Sequence, residues 1–213
     1  DVGCGDAYVI RSLANRRFGS TFWGVDNALA EGYEIKSQEA QIQVTNSLDA
    51  LPQGPKGSIS HVLLLDVLEH VEDDVGLLHR IQSLPQVASG CIVLITVPAY
   101  PALFTEHDRI LGHYRRYTAK MLERSVENAG LLRLESGAFF SSLLAPRALE
   151  KLIEPFRGQN KKEVTDLSTW SGSEIQTKLV ESILYGDYLL AEAGQALGFK
   201  LPGLSQYALC SAP

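Results

Sequence analysis

Asp1-Val2-Gly3-Cys4-Gly5-Asp6 sets a carboxylate and an apolar residue directly ahead of a Gly-x-Gly turn. Gly3 and Gly5 carry no Cβ, so the backbone there can turn tightly and come close to a ligand. Downstream, Thr21-Phe22-Trp23-Gly24-Val25-Asp26 reads as a short strand ending in a second carboxylate. An acid about 20 residues after a glycine turn suits a ribose diol. The pair describes a loop for a nucleotide-bearing cofactor, and an ordinary glycine turn without a ligand is the plain alternative.

Dinucleotides and S-adenosylmethionine (SAM) use the same layout. Asp1 shifts the balance toward SAM. An anion beside the turn would repel a pyrophosphate, whereas it favours a sulfonium and an ammonium.

Three histidines could move a proton near neutral pH. His70 follows Asp66 by one helical turn, and His107 and His113 sit in the loop after a strand at 91–97. His107 is the best single candidate for a base, with Asp108 and His113 positioned to help it. Each could instead make a structural hydrogen bond. His61 and His79 read as structural or surface residues. His107, Asp108 and His113 could in principle hold a metal, but no fourth ligand is evident and no metal is expected. Arg115, Arg116 and Tyr117 form a candidate acceptor-binding segment, because guanidinium groups pair with carboxylate or phosphate. One of the two arginines is expected to be structural. Glu69 and the run Glu72-Asp73-Asp74 read as a solvated loop and helix start.

The elements that must position these groups alternate. Helical patterns cover 7–17, 28–38, 73–84, 118–129 and 173–197. Strand patterns cover 21–26, 40–45, 61–66, 91–97, 131–140 and 204–211. The runs at 61–66 and 91–97 are apolar throughout, as in strands buried on both faces. Such alternation indicates an α/β, Rossmann-like, doubly wound, mostly parallel sheet of seven strands with helices on both faces. Ligands of such sheets sit beyond the carboxyl ends of the strands, where Asp1, Asp26 and Asp66 fall. Val2-Gly3 looks like the end of a first strand with nothing before it, so a helix and a strand of roughly 20 or more residues are expected upstream. Residues 1–213 otherwise form one domain, with a helical elaboration at about 141–200 before the last strand.

Bulk properties narrow the function. A formal net charge of −6 with no long basic run argues against nucleic acid. Cys4, Cys91 and Cys210 lie far apart, which suggests neither a disulfide framework nor a structural zinc and fits a reducing, cytoplasmic location. No apolar run reaches the ~20 residues that span a bilayer. Peripheral contact through the apolar stretch at 139–153 is a minority reading.

With these residues placed, the chain resembles the class I SAM-dependent methyltransferases, and within them the type 11 group, over nearly its whole length. The resemblance implies that Asp1, Gly3, Cys4 and Gly5 hold the methionine moiety and that Asp26 with Asn27 holds the ribose. It puts Ser47 and Leu48, in NSLDALP, on the adenine side, and Asp66 and Val67 in the fourth-strand motif DVLEHV. Two positions depart from the pattern: Ala7 stands where a third glycine is usual, and Ser47 where an acid is usual. The segment from Val97 to Thr118 is similar to a VPA…HD…GHYRRYT pattern of a bacterial subgroup. Some of that subgroup are predicted to act on lipid-linked or glycan substrates; the acceptor expected here is a small molecule, glycan or lipid-linked intermediate, methylated at oxygen before nitrogen or carbon. Two rival readings are an NAD-dependent oxidoreductase and a SAM-binding protein without catalysis.

Overall fold

The computed structural model describes residues 1–29, 35, 40–156 and 172–213. Six strands appear among them: β1 (Thr21–Val25), β2 (Gln41–Thr45), β3 (Ile59–Leu65), β4 (Val87–Pro98), β5 (Leu132–Phe139) and β6 (Ser205–Ser211). The helices are α1 (Tyr8–Asn15), α2 (Asp74–Gln82), α3 (Glu106–Ile110), α4 (Ala119–Asn128), α5 (Leu144–Ile153) and α6 (Glu174–Ala196). The helix expected over 28–38 and part of the elaboration at 141–200 lie outside the described residues.

The expected seven-stranded sheet is corrected to six strands in two groups, β1-β2 and β3-β4-β6-β5. The reason is local. Val2 makes parallel bridges to both Val25 and Leu64, so it sits between β1 and β3, but one residue is too short to count as a strand. β1 pairs with β2, and β3 with β4, in parallel. β6 is antiparallel to both β4 and β5. The turn into β6 depends on Gly203, where a Cβ would lie 2.1 Å from the Phe139 carbonyl oxygen.

The core follows from the apolar runs. Leu64 of β3 and Val93, Ile95 and Val97 of β4 pack with Leu78 and Ile81 of α2 and Leu122 and Val126 of α4. Burying each such side chain contributes about 1.5–3 kcal/mol relative to exposure. A smaller cluster of Cys4, Ala7, Ile10, Ala14 and Ile42 packs α1 against β2. The larger cluster takes in Leu68 and the smaller one Cys4 and Ala7, so each core reaches a loop of the site. α6 buries little of its length: its one buried residue is Asp187. No helix among the described residues is long and apolar enough to cross a membrane.

Candidate active site

The glycine loop is held from both sides. Val25 N donates to the Asp1 carbonyl (2.9 Å), Val2 N to Leu63 (2.9 Å) and Gly3 N to Val25 (2.7 Å). Asp26 then ties β1 to the turn, because its carboxylate accepts from Gly5 N at 2.8 Å and from Ala28 N at 2.9 Å. Gly3 has φ +72°, and a Cβ there would fall 2.5 Å from Val67 Cγ2. Gly5 has φ +52° and open space where its Cβ would be. Ala7, buried, also takes a left-handed conformation (φ 60°), the one a glycine adopts freely. One Asp1 carboxylate oxygen is buried without a hydrogen-bond partner. Cys4 is buried, and that burial pushes its thiol up. Asn27 is exposed beside Asp26, Ser47 caps the turn Leu48–Ala50 through Ala50 N at 3.3 Å, and Leu48 is buried beneath it.

Asp66, at the end of β3, has φ 55°, a conformation uncommon for a residue with a side chain and concentrated at working sites. Thr96 of β4 holds it there: Asp66 N donates to the Thr96 hydroxyl at 3.0 Å, and that hydroxyl donates to Asp66 Oδ1 at 3.2 Å. Desolvation raises the Asp66 carboxyl, against the Thr96 bond and the nearby His113 and Arg116. The chain then makes a tight turn, Leu68–His70. This turn buries Glu69, 1% exposed, and leaves one of its carboxylate oxygens without a partner. Burial pushes the Glu69 carboxyl up to about 8, and the charge of Asp66 adds to the effect.

The loop after β4 is drawn onto this turn. Tyr114 N donates to the Glu69 carbonyl at 2.7 Å, and the Tyr117 hydroxyl to the Leu68 carbonyl at 3.2 Å. His113 thereby meets His70 edge to face, with ring centroids 4.5 Å apart. Burial, then the neighbouring His113, holds the His70 ring below its ordinary range. Glu69, His70 and His113 each present a donor atom within 4.8 Å of the others. His107 is not in that group. It lies one residue before Asp108 on α3, so its side chain leaves the helix about 100° away. His107 is half-buried.

Asp108 is the anchor of the loop. It is fully buried and accepts from Thr105 N (2.7 Å), His113 Nδ1 (3.1 Å), Arg116 Nε (2.9 Å) and Arg147. Burial alone would raise its carboxyl. The bonds from His113, Arg116 and Thr105 together outweigh that and hold it well below the carboxylate range. Arg116 is buried, with its remaining reach spent on the Ala99 carbonyl at 3.1 Å. Tyr117 is also buried and donates to Asp74 at 2.8 Å, which accepts from Ser125 of α4 as well. Arg115 is half-buried, bonded to the Glu72 carbonyl at 2.6 Å and 3.6 Å from Asp74.

The sequence reading therefore missed two acids. Glu69 and Asp74 were expected in solvent, and both are buried. The signal for Glu69 was available: it follows Asp66 by one turn and precedes His70. Arg147, in the apolar run at 141–147, gave no sign of its contact with Asp108.

A family model described as "Methyltransferase domain" matches residues 1–135. No curated protein matches. Among solved structures, the chain is similar to a SAM-dependent methyltransferase from Archaeoglobus fulgidus, at 14% identity and TM-score 0.53, covering 99% of this chain and 84% of that one. Phosphoethanolamine N-methyltransferase 2 of Haemonchus contortus, in complex with SAM, is 22% identical with TM-score 0.55 over 100% of this chain and 48% of its own. The cyclase SpnF shares the fold at 14% identity and TM-score 0.53, covering 100% of this chain and 73% of its own.

Proposed function

The chain belongs to the methyltransferase-domain family, and we propose that it transfers a methyl group from SAM to a hydroxyl of a small-molecule, glycan or lipid-linked acceptor. The observation that carries the cofactor reading is the buried, unpartnered carboxylate oxygen of Asp1, the residue that leads into the glycine turn. A buried lone acceptor is costly unless a ligand supplies its partner. An ammonium group supplies one, whereas a pyrophosphate would meet repulsion, which counts against an NAD-dependent oxidoreductase. When bound, SAM offers a methyl carbon activated by a cationic sulfur.

The remaining work falls to the chain. Asp1, Gly3, Cys4 and Gly5 line the turn for the amino-acid end of the cofactor. Asp26 and Asn27 stand where ribose hydroxyls would be held, and Ser47 with Leu48 flanks the adenine side. Asp66 and Val67 close the loop from the β3 end. Glu69, His70 and His113 form the acceptor side and activate its hydroxyl, with Asp108 orienting His113. Arg116 and Tyr117 act on the acceptor indirectly, by holding the loop. Arg115 is the member of that segment with exposure left to meet an anionic group. This cluster of polar groups favours catalysis over passive SAM binding.

A lipid-linked acceptor is favoured by a cavity of ≈ 890 Å³ between the sheet and α6, lined by Leu94, Thr96, Phe139, Leu189 and Tyr207. Thr96 is the residue that bonds Asp66. An apolar chain could therefore lie under α6 while its polar end reaches Asp66. Methyl-labelled SAM incubated with the protein and separated lipid and aqueous extracts should deliver label to an acceptor, preferentially in the lipid fraction. His113→Ala should lower that turnover by about 10² or more, the lower range for removing a proton-transfer group, and His107→Ala by less than about threefold. A large loss from His107→Ala with His113→Ala unaffected would relocate the chemistry to α3.

A further inference from the structure

We propose that Glu69, His70 and His113 form a binding site for one divalent transition-metal cation, at the acceptor side of the cofactor loop. Their donor atoms lie within 4.8 Å of one another. Bonds of about 2.0–2.2 Å to histidine nitrogen and carboxylate oxygen require a small inward adjustment from that spacing. His70 is exposed and free to make it.

Two further observations point to a ligand. The first is Glu69 itself, 1% exposed, with an Oε2 that has no partner. A buried carboxylate oxygen without a donor is costly, and a cation between it and the two rings removes that cost. The second is the way His113 is held. His113 Nδ1 is bonded to Asp108 at 3.1 Å. That ring thus has one nitrogen fixed by an acceptor, which leaves the other nitrogen as a lone-pair donor. A carboxylate or carbonyl behind a histidine is the usual support of a metal ligand.

The donor set selects the cation. Two imidazoles and one carboxylate suit manganese through zinc better than magnesium or calcium, which prefer oxygen. The carboxyl of Asp66, one turn before Glu69 and close enough to act electrostatically on it, adds negative charge. Three protein ligands leave coordination positions open. Because His70 faces solvent, an acceptor oxygen can reach them. The alternative set of His107, Asp108 and His113 is unsuitable, since both oxygens of Asp108 are already bonded to Thr105, Arg116 and Arg147. The site stands on this geometry, and its part in holding an acceptor rests on the methyltransferase reading; with a cation bound, His113 serves the acceptor hydroxyl as a metal ligand, the metal making the hydroxyl more acidic, and not by taking its proton.

The test uses the full chain without a polyhistidine tag, stripped with chelator and titrated with Co²⁺, whose visible absorption reports nitrogen ligation. One equivalent should bind with such a spectrum. His70→Ala, at an exposed position, should keep the native circular dichroism and weaken binding by at least about tenfold, as should Glu69→Gln. No binding at millimolar Co²⁺, or binding that neither variant weakens, overturns the proposal. A parallel SAM titration separates the two readings: SAM binding without Co²⁺ binding sinks the metal site alone, and Co²⁺ binding without SAM binding sinks the cofactor reading.

Discussion

Gly3 concentrates two demands in one residue. Its φ of +72° is strained for any side chain, and its Cβ would meet Val67 Cγ2 at 2.5 Å. Gly3→Ala should therefore cost about 1–2 kcal/mol from the left-handed backbone alone, and more from the clash. Val67→Ala in the same chain should recover the clash and leave the backbone cost. Urea denaturation of the single and double variants checks this; a Gly3→Ala protein as stable as the parent would remove the close approach from the account. Gly3, Gly5 and Asp26 were legible in the sequence because spacing alone marks them. Glu69 was legible only in its place, one turn after Asp66 and before His70; its burial was not, since the Tyr114 amide that bonds its carbonyl comes from a distant segment.

Between elements, the contact that matters most is the one Tyr117 makes with Asp74 at the start of α2, which Ser125 of α4 shares. It joins the loop after β4 to both helices behind the site. Tyr117→Phe removes a hydrogen bond to a buried carboxylate, so stability should fall by about 1.5–3 kcal/mol. SAM affinity should stay within about threefold, because the Tyr117 hydroxyl faces Leu68 and Asp74 and not the glycine loop. A stable variant with lost acceptor turnover would instead put Tyr117 in contact with the acceptor. The long elements were readable from pattern: β3 and β4 are apolar runs, and α4 ends at Gly130 with φ +74°. The short helix α3 was not, since five residues carry too little periodicity, and its start is fixed by Asp108 bonding back to Thr105. Without α3, His107 and His113 read as neighbours in one loop, whereas His107 lies on the helix and His113 beyond it.

At the scale of the molecule, one sheet edge gathers the glycine loop, Asp26, Asp66 and the Glu69–His70–His113 cluster. Alternation of strands and helices made that convergence readable, because parallel strands must all end on the same side. The strand count and the cavity beneath α6 were not readable, as both depend on how distant segments meet. The central claim is that this edge binds SAM. Calorimetric titration with SAM measures it directly. The account predicts one site per chain, a melting temperature that rises with SAM concentration by mass action, and an Asp26→Ala variant weakened by about 10-fold or more, the loss expected for hydrogen bonds to a charged group. Absence of binding at millimolar SAM, or equal affinity in Asp26→Ala, would contradict it.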